Sequence, residues 1–250
     1  MVLDNANAGE PFMTREERLR IQMRAVQCLR AIKRGCTYQE LSLLLGASPV
    51  VLNRYVKGHV LPGIERAERI LEFCSRERLA EQVKQRLSFD EDGFVDNTAL
   101  LFDTDLLAAV AELIAQRFPR ANKVLTAAVD GIPPAVHIAS ALQVPCLFAK
   151  RSREIGVRSF VESRYKLASG QILNYFLPSQ ALGRRDRVLI VDDLLRSGET
   201  QAALMEIVNT QRATPVGVFS LIRIGDEGTR RLEQSVDCPV EALLTLDPIN

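Results

Sequence analysis

The sequence predicts an α/β protein in which an N-terminal all-α domain precedes a domain built on a parallel sheet. Three observations lead to this prediction: helical spacing up to about residue 85, alternating β-type and helical stretches from about residue 121, and a polar linker near residues 88–98, where Asp, Glu, Gly and Asn cluster. Strand and helix in repeated alternation are typical of a parallel sheet that is covered on both faces. We therefore expect two domains, residues 1–88 and residues 89–250.

The composition is ordinary for a folded protein, but the charge is unevenly distributed. Of 250 residues, 47% are hydrophobic and 25% are charged, with a net charge of +1. Residues 1–88 hold 15 Lys and Arg against 10 Asp and Glu (+5), whereas residues 89–250 hold 17 against 21 (−4). A polyanion would therefore dock at the N-terminal domain, although a solvated helix face explains the same asymmetry.

Cysteine and histidine usage argues against a metal site and for a reducing compartment. The five cysteines are scattered without a C-x-x-C pair, and the chain has two histidines. No apolar run approaches the roughly 18 residues that a membrane span needs, and the N-terminus lacks a signal pattern. We expect a cytoplasmic protein with reduced thiols, no resident metal and no membrane partner.

The first helical stretch is amphipathic. Apolar residues recur every three or four positions, with Arg, Glu and Lys between them: Leu19, Met23, Val26, Leu29 and Ile32. Gly35 then ends the predicted helix.

The segment "CTYQELSLLLGASPVVLNRYVKGHVLPG" predicts two short helices joined by a tight turn. Thr37 and Glu40 form a capping box, and Gly46 ends that helix. Ser48 caps the next helix, which has Pro49 at its first position. This arrangement is typical of a helix-turn-helix unit, whose second helix enters the major groove of DNA.

The spacing of this segment resembles the phage-repressor and Cro family of DNA-binding domains. The resemblance implies that outward-facing residues of the second helix contact bases and backbone, with Lys57 on a phosphate. Tyr38 stands where that family has a phosphate-contacting Gln. The candidate DNA-binding residues are Pro49, Val50, Asn53, Arg54, Lys57 and Tyr38. The alternative is a helical protein-interaction module with the same capping pattern.

The stretch "VLIVDDLLRSGET" ends a predicted buried strand with two carboxylates, Asp192 and Asp193. A structural role would need Arg or Lys partners, because buried ions lose several kcal/mol of hydration. A functional role would be to accept hydrogen bonds from a sugar diol. Backbone N–H groups of the following helix, with the Ser197 and Thr200 hydroxyls, would hold a phosphate. The stretch therefore predicts a ribose 5-phosphate site.

This stretch resembles the phosphoribosyl-pyrophosphate (PRPP) motif of type I phosphoribosyltransferases, and the resemblance extends over residues 121–225. It implies a pyrophosphate loop at Asp130 and Gly131, and a mobile flap over residues 152–177. The candidate ligand-binding residues are Asp192, Asp193, Arg196, Ser197, Gly198, Glu199, Thr200, Asp130, Gly131, Lys150 and Arg151.

A helix-turn-helix joined to such a domain resembles archaeal orotate-phosphoribosyltransferase-like regulators and, more distantly, the bacterial purine repressor. The resemblance implies a transcription regulator that senses PRPP, a nucleotide or a nucleobase without catalytic residues. It also implies a homodimer on a palindromic double-stranded DNA operator. No cofactor is required in this interpretation, which is compatible with Mg²⁺ bound together with PRPP. The alternative is an active purine or orotate phosphoribosyltransferase with an appended helical domain.

Overall fold

The computed structural model describes residues 13–166 and 172–248. The chain divides into two compact units, with the boundary between Cys74 and Ser75. We call them the helical unit and the sheet unit. The predicted domain bounds, residues 1–88 and 89–250, stay a prediction.

The described part of the helical unit contains four helices: α1 (Arg15–Lys33), α2 (Tyr38–Leu45), α3 (Pro49–Val56) and α4 (Ile64–Phe73). Side chains of Thr14, Thr37 and Ser48 cap the first three, and Thr14 and Thr37 each form a full capping box. Gly46 ends α2 with a φ of 62°, in the left-handed region that favours glycine. Helices α2 and α3 are thus joined by a short turn, as the sequence predicts.

The core of the helical unit differs in part from the predicted apolar face. Leu19 and Met23, which belong to that predicted face, are 45% and 51% exposed. The buried stripe of α1 instead uses small residues such as Ala25 and Cys28 beside its larger ones. Small side chains let neighbouring helices approach closely, so a search for large apolar residues overlooks them.

The sheet unit alternates helices and strands. Its helices are α5 (Arg76–Lys84), α6 (Thr98–Leu101), α7 (Thr104–Arg117), α8 (Ile132–Leu142), α9 (Glu199–Thr210) and α10 (Glu227–Glu233). Its strands are β1 (Ser88–Phe89), β2 (Val95–Asp96), β3 (Lys123–Ala127), β4 (Cys146–Ala149), β5 (Phe160–Lys166), β6 (Ile172–Pro178), β7 (Arg187–Leu195), β8 (Thr214–Ile224) and β9 (Val240–Leu246).

Five strands form one parallel sheet in the order β4-β3-β7-β8-β9. The central strands are nearly continuous runs of buried aliphatic residues, which is typical of a sheet covered on both faces. On one face, side chains of β3, β7 and β8 pack with those of α9. The predicted fold class, with N-terminal helices before a parallel-sheet domain, is confirmed.

Two antiparallel pairs accompany this sheet. Strands β1 and β2 form a small hairpin inside the segment that the sequence suggested as a linker. Strands β5 and β6 form a ribbon within the predicted flap, and Ser163 Oγ donates to Glu206 Oε2 of α9 at 2.6 Å. Residues 167–171 of that flap lie outside the described residues. Among the described residues, no helix is both long enough and apolar enough to cross a bilayer.

Candidate functional site

The two adjacent acids lie near the carboxyl edge of the sheet, in its central strand β7. This strand continues to Leu195, so the acids belong to the strand and do not follow it. Asp192 is buried, with 6% of its surface exposed, whereas Asp193 is half-buried.

Asp192 is held from several directions. The side-chain amide of Gln201 donates to its Oδ2 at 2.7 Å, and the backbone N–H of Asp193 donates to its Oδ1 at 3.1 Å. Gly131, in the turn before α8, packs so closely that an added Cβ would lie 2.7 Å from Asp192 Oδ1 and would overlap Thr126 Oγ1. The predicted pyrophosphate loop therefore packs directly on the first acid.

Burial raises the pKa of Asp192 well above its usual value, and the charges of Asp193 and Asp130 raise it further. Loss of hydration and repulsion between carboxylates both disfavour the ionised form. Hydroxyl donors or a cation that approached this edge would favour ionisation. The arrangement is therefore suited to a ligand that brings such groups.

Asp193 has an amide partner as well. The Nδ2 of Asn97, which directly precedes α6, donates to Asp193 Oδ2 at 2.7 Å. Within the described ranges, no Lys or Arg forms an ion pair with either acid. The structural alternative, in which basic partners neutralise the pair, is therefore not what the fold shows. Asn97 and Gln201 lie outside the motif, and sequence analysis missed both.

The loop after the acids leads into α9. Gly198 has a φ of 78° and no side-chain capping bond, and an added Cβ would lie 2.8 Å from the carbonyl oxygen of Gly228. Ser197 Oγ donates to Glu199 Oε2 at 2.9 Å, and Glu199 and Thr200 lie in the first turn of α9. A carboxylate at a helix N-terminus is stabilised by the helix dipole. The Glu199 carboxylate therefore occupies the place where a phosphate would accept a hydrogen bond from Ser197.

A small cavity opens beside this loop. It measures about 120 Å³ and lies between the β1–β2 hairpin and the ends of β7, β8 and β9. The guanidinium of Arg196 lies 5.5 Å from the centre of the Phe94 ring. Other apolar side chains that line the cavity are Phe89, Leu194 and Ile224. Sequence analysis did not predict this cavity because the hairpin lies in the presumed linker.

Lys150 and Arg151 follow β4, two strands from the acids at the same edge. The backbone of Lys150 exchanges two hydrogen bonds with Phe176 of β6, at 3.0 and 2.8 Å. Its ammonium pairs with Glu154, and the Arg151 guanidinium lies 4.9 Å from the centre of the Tyr175 ring. The sheet thus brings both residues to the edge, while their side chains contact the ribbon and its connection.

The residues predicted to bind DNA lie on and around α3. Five of them are exposed: Pro49, Val50, Asn53, Arg54 and Lys57. Tyr38 is half-buried, its hydroxyl donates to Asn53 Oδ1 at 3.0 Å, and the Lys33 ammonium lies 4.6 Å from the centre of its ring. Both of these partners of Tyr38, Asn53 and Lys33, belong to the helical unit.

Comparison with known proteins relates the sheet unit to enzymes. The family described as "Phosphoribosyl transferase domain" matches residues 98–241. A xanthine phosphoribosyltransferase from Streptococcus pyogenes is 31% identical over 145 residues, which are 56% of this chain and 75% of that protein.

Solved structures show the same fold. The adenine phosphoribosyltransferase from Rhodothermus marinus is 24% identical, with a TM-score of 0.61. The match covers 68% of this chain and 99% of that structure. The adenine phosphoribosyltransferase from Trypanosoma brucei, described in complex with AMP, pyrophosphate and ribose-5-phosphate, is 15% identical with a TM-score of 0.60. The match covers 67% of this chain and 79% of the Trypanosoma brucei protein.

These findings correct the functional prediction. The interpretation as a DNA-binding transcription regulator without catalysis is wrong, because the matching family and the relatives named above are phosphoribosyltransferases. The physical reason for the error is that capping and turn spacing in the helical unit specify helix geometry and carry no information about DNA. The comparisons lend no support to the DNA-binding role that was predicted for Pro49, Val50, Asn53, Arg54, Lys57 and Tyr38.

The matched segment is more than half of the chain. It contains the acid pair, the uncapped start of α9 and the glycine turn that packs on Asp192. The chain belongs to the phosphoribosyl transferase domain family.

Proposed function

We propose that the chain is an active purine phosphoribosyltransferase. It would transfer the 5-phosphoribosyl group of PRPP to a ring nitrogen of a purine base and release pyrophosphate. The observation that carries this proposal is the acid pair at the carboxyl edge, which is held by amides and left without a basic partner among the described residues. The names of the relatives support the choice of purine, since they are xanthine and adenine phosphoribosyltransferases.

Each part of PRPP has a suitable place at this edge. The 5-phosphate would lie at the start of α9, where Gly198 provides no cap and Thr200 provides a hydroxyl, and the Ser197 hydroxyl would exchange its bond to Glu199 for one to the phosphate. The ribose diol would donate to the half-buried carboxylate of Asp193. The pyrophosphate would lie at Gly131, where α8 also starts without a side-chain cap. Lys150 and Arg151 are cations at the same edge that would approach the leaving group.

The site also fits Mg²⁺. This ion prefers oxygen ligands, and it is usually held by one or two carboxylates together with substrate phosphates. Asp193 and the exposed Asp130 provide such oxygens, and the described residues contain no group of three or more His, Cys, Asp or Glu that could hold a metal without the substrate. When bound, Mg²⁺ would neutralise charge on the departing pyrophosphate.

The base would occupy the cavity beside Arg196. Its apolar and aromatic lining, including Phe89, Phe94 and Ile224, suits a flat heterocycle. The cavity adjoins the loop that would hold the ribose 5-phosphate, so the reacting atoms would meet between the two. Closure of the predicted flap over both substrates, and the predicted homodimer, stay predictions.

The test is product formation from PRPP and Mg²⁺ with a panel of adenine, guanine, hypoxanthine, xanthine and orotate. We expect one or more of the purines to give the nucleoside monophosphate and an equal amount of pyrophosphate. Product from orotate alone would replace purine by pyrimidine as the substrate class. No product from any base would overturn the proposal.

A further inference from the structure

Asn97 is the residue that joins the hairpin side of the cavity to the acid pair. It directly follows β2, and its Nδ2 donates to Asp193 Oδ2 at 2.7 Å across 96 residues of sequence. Asn97 is half-buried, so the contact lies at the rim of the site and not in the core. A single side chain thus connects two walls of the site.

The local role expected of this asparagine is filled by its neighbour. An Asn at the position before a helix usually accepts a hydrogen bond from the first turn of that helix. Asn97 makes no such bond, and Asp96 Oδ1 accepts from the backbone N–H of Thr98 at 2.9 Å instead. The side chain of Asn97 is therefore committed to Asp193 and not to its own helix.

An amide is the suitable partner for a carboxylate that must bind a ligand. A Lys or Arg at this position would neutralise Asp193 and would compete with hydroxyl donors or Mg²⁺. The amide fixes one carboxylate oxygen without removing the negative charge, and an ionised carboxylate keeps further acceptor sites. The geometry thus orients Asp193 while its charge stays available.

We propose that Asn97 is a positioning residue that orients the Asp193 carboxylate toward the ribose of PRPP and ties it to the hairpin that covers the base cavity. This inference rests on the proposed function. The ribose and the base would then bind to two walls that one hydrogen bond holds in register. Loss of the bond would weaken PRPP binding and raise the KM of the base, while the fold would stay intact.

The experiment uses the full chain and three variants. Asn97→Leu keeps the approximate size of the side chain and removes the donor, and Asn97→Asp keeps its shape and places an acceptor against Asp193. Asn122→Leu is the control, because the side chain of Asn122 also makes long-range hydrogen bonds, but at the opposite edge of the sheet. It donates to the backbone carbonyl of Arg185 at 3.3 Å and accepts from the backbone N–H of Arg187 at 2.7 Å. The dissociation constant of PRPP with Mg²⁺ is measured by calorimetry, together with kcat, KM and Tm.

We expect Asn97→Leu to weaken PRPP binding by about tenfold or more, the usual effect of a lost hydrogen bond to a charged group. Asn97→Asp should weaken it at least as much, with Tm close to that of the parent in both. Asn122→Leu should lower Tm and leave PRPP affinity unchanged. Parent-like PRPP affinity in Asn97→Leu, or in Asn97→Asp, would overturn the inference.

The design separates this inference from the proposed function. A parent protein that binds PRPP but forms no nucleotide would overturn the proposed function alone, and the inference would then be decided by the affinities of the variants. A parent protein that does not bind PRPP would overturn both.

Discussion

Three helices of the helical unit begin differently from two helices at the carboxyl edge of the sheet. In the helical unit, α1, α2 and α3 begin after Thr14, Thr37 and Ser48, and each of these side chains accepts a hydrogen bond from the first turn of its helix. At the carboxyl edge of the sheet, α8 and α9 begin after Gly131 and Gly198, which provide no capping side chain. The first backbone N–H groups of α9 can therefore serve a ligand. In α8 the N–H of Ile132 already donates to the Val129 carbonyl oxygen at 3.0 Å, and Pro133 and Pro134 have no N–H, so the N–H that can serve a ligand there is that of Gly131.

The difference teaches that a missing cap is informative only in context. Helix α4 also begins at a glycine, Gly63, yet it lies in the unit that has no acid pair and no parallel sheet. At the sheet edge, two uncapped helix starts flank Asp192 and Asp193. A helix that begins at a capping side chain has that part of its hydrogen bonding complete. The uncapped starts of α8 and α9 lie beside Asp192 and Asp193, which pair with amides and with no Lys or Arg among the described residues, and this combination is what we expect of a site for a phosphorylated sugar.

The largest effect is expected from Asp193→Asn, which keeps the shape of the side chain and removes its charge. PRPP binding should weaken by at least tenfold, since hydrogen bonds to charged groups contribute roughly 1.5–3 kcal/mol each. Calorimetric titration with PRPP and Mg²⁺ checks this, and circular dichroism serves as the control for folding. An affinity equal to that of the parent would remove Asp193 from the site.

Gly198→Ala should break the open helix start of α9. The residue has a φ of 78°, and its new Cβ would lie 2.8 Å from the Gly228 carbonyl oxygen, so the loop must shift. We expect a loss of stability of roughly 1–3 kcal/mol from backbone strain, together with weaker PRPP binding. Gly63→Ala, where an added Cβ meets nothing within 4 Å, is the control. Equal behaviour of the two variants would contradict a special role for Gly198.

Asp192→Asn should stabilise the ligand-free protein at neutral pH. Because burial raises the folded pKa of Asp192, the folded state loses stability as pH rises from the unfolded pKa of roughly 4 to the raised folded pKa, and Asn removes this penalty. We expect a gain in the free energy of unfolding that disappears as pH falls from the raised pKa to roughly 4, below which Asp is protonated in both states. Thermal unfolding of both proteins over this range measures it, and a gain that persists at pH 3 would refute the explanation.

The smallest effect is expected from Thr37→Ala in the helical unit. It removes a capping box whose two reciprocal bonds measure 2.6 and 3.2 Å. The free energy of unfolding should fall by about 1 kcal/mol, while turnover with PRPP and a purine should not change. Urea unfolding and the rate assay report the two quantities separately. A drop in turnover without a drop in stability would place a function in this helix start.

Much of this fold could be predicted because it depends on local chemistry. Thr37, Gly46 and Ser48 specify helix ends within a few residues, and the apolar run before Asp192 specifies a buried strand. The ribose 5-phosphate site at the acid pair and the loop after it rests on the same kind of local chemistry and stays a prediction.

What could not be predicted depends on contacts between distant segments. The β1–β2 hairpin has polar residues that favour a linker, and Asn97 reaches Asp193 only in the folded chain. Gln201 looks like any polar helix residue, but it is buried against Asp192. The choice between enzyme and regulator was wrong for a related reason, since the fold alone does not determine whether a bound ligand reacts.

The most direct test of the central claim is amide hydrogen exchange of the full chain with and without PRPP and Mg²⁺, followed by mass spectrometry of peptides. We predict slower exchange at the two uncapped starts, in peptides that contain Gly131 and Gly198–Thr200, because ligand oxygens would accept from the N–H groups of these residues. Peptides that contain the capped start at Thr37–Glu40 should exchange as before. Protection confined to the helical unit, or no protection at either uncapped start, would contradict the account.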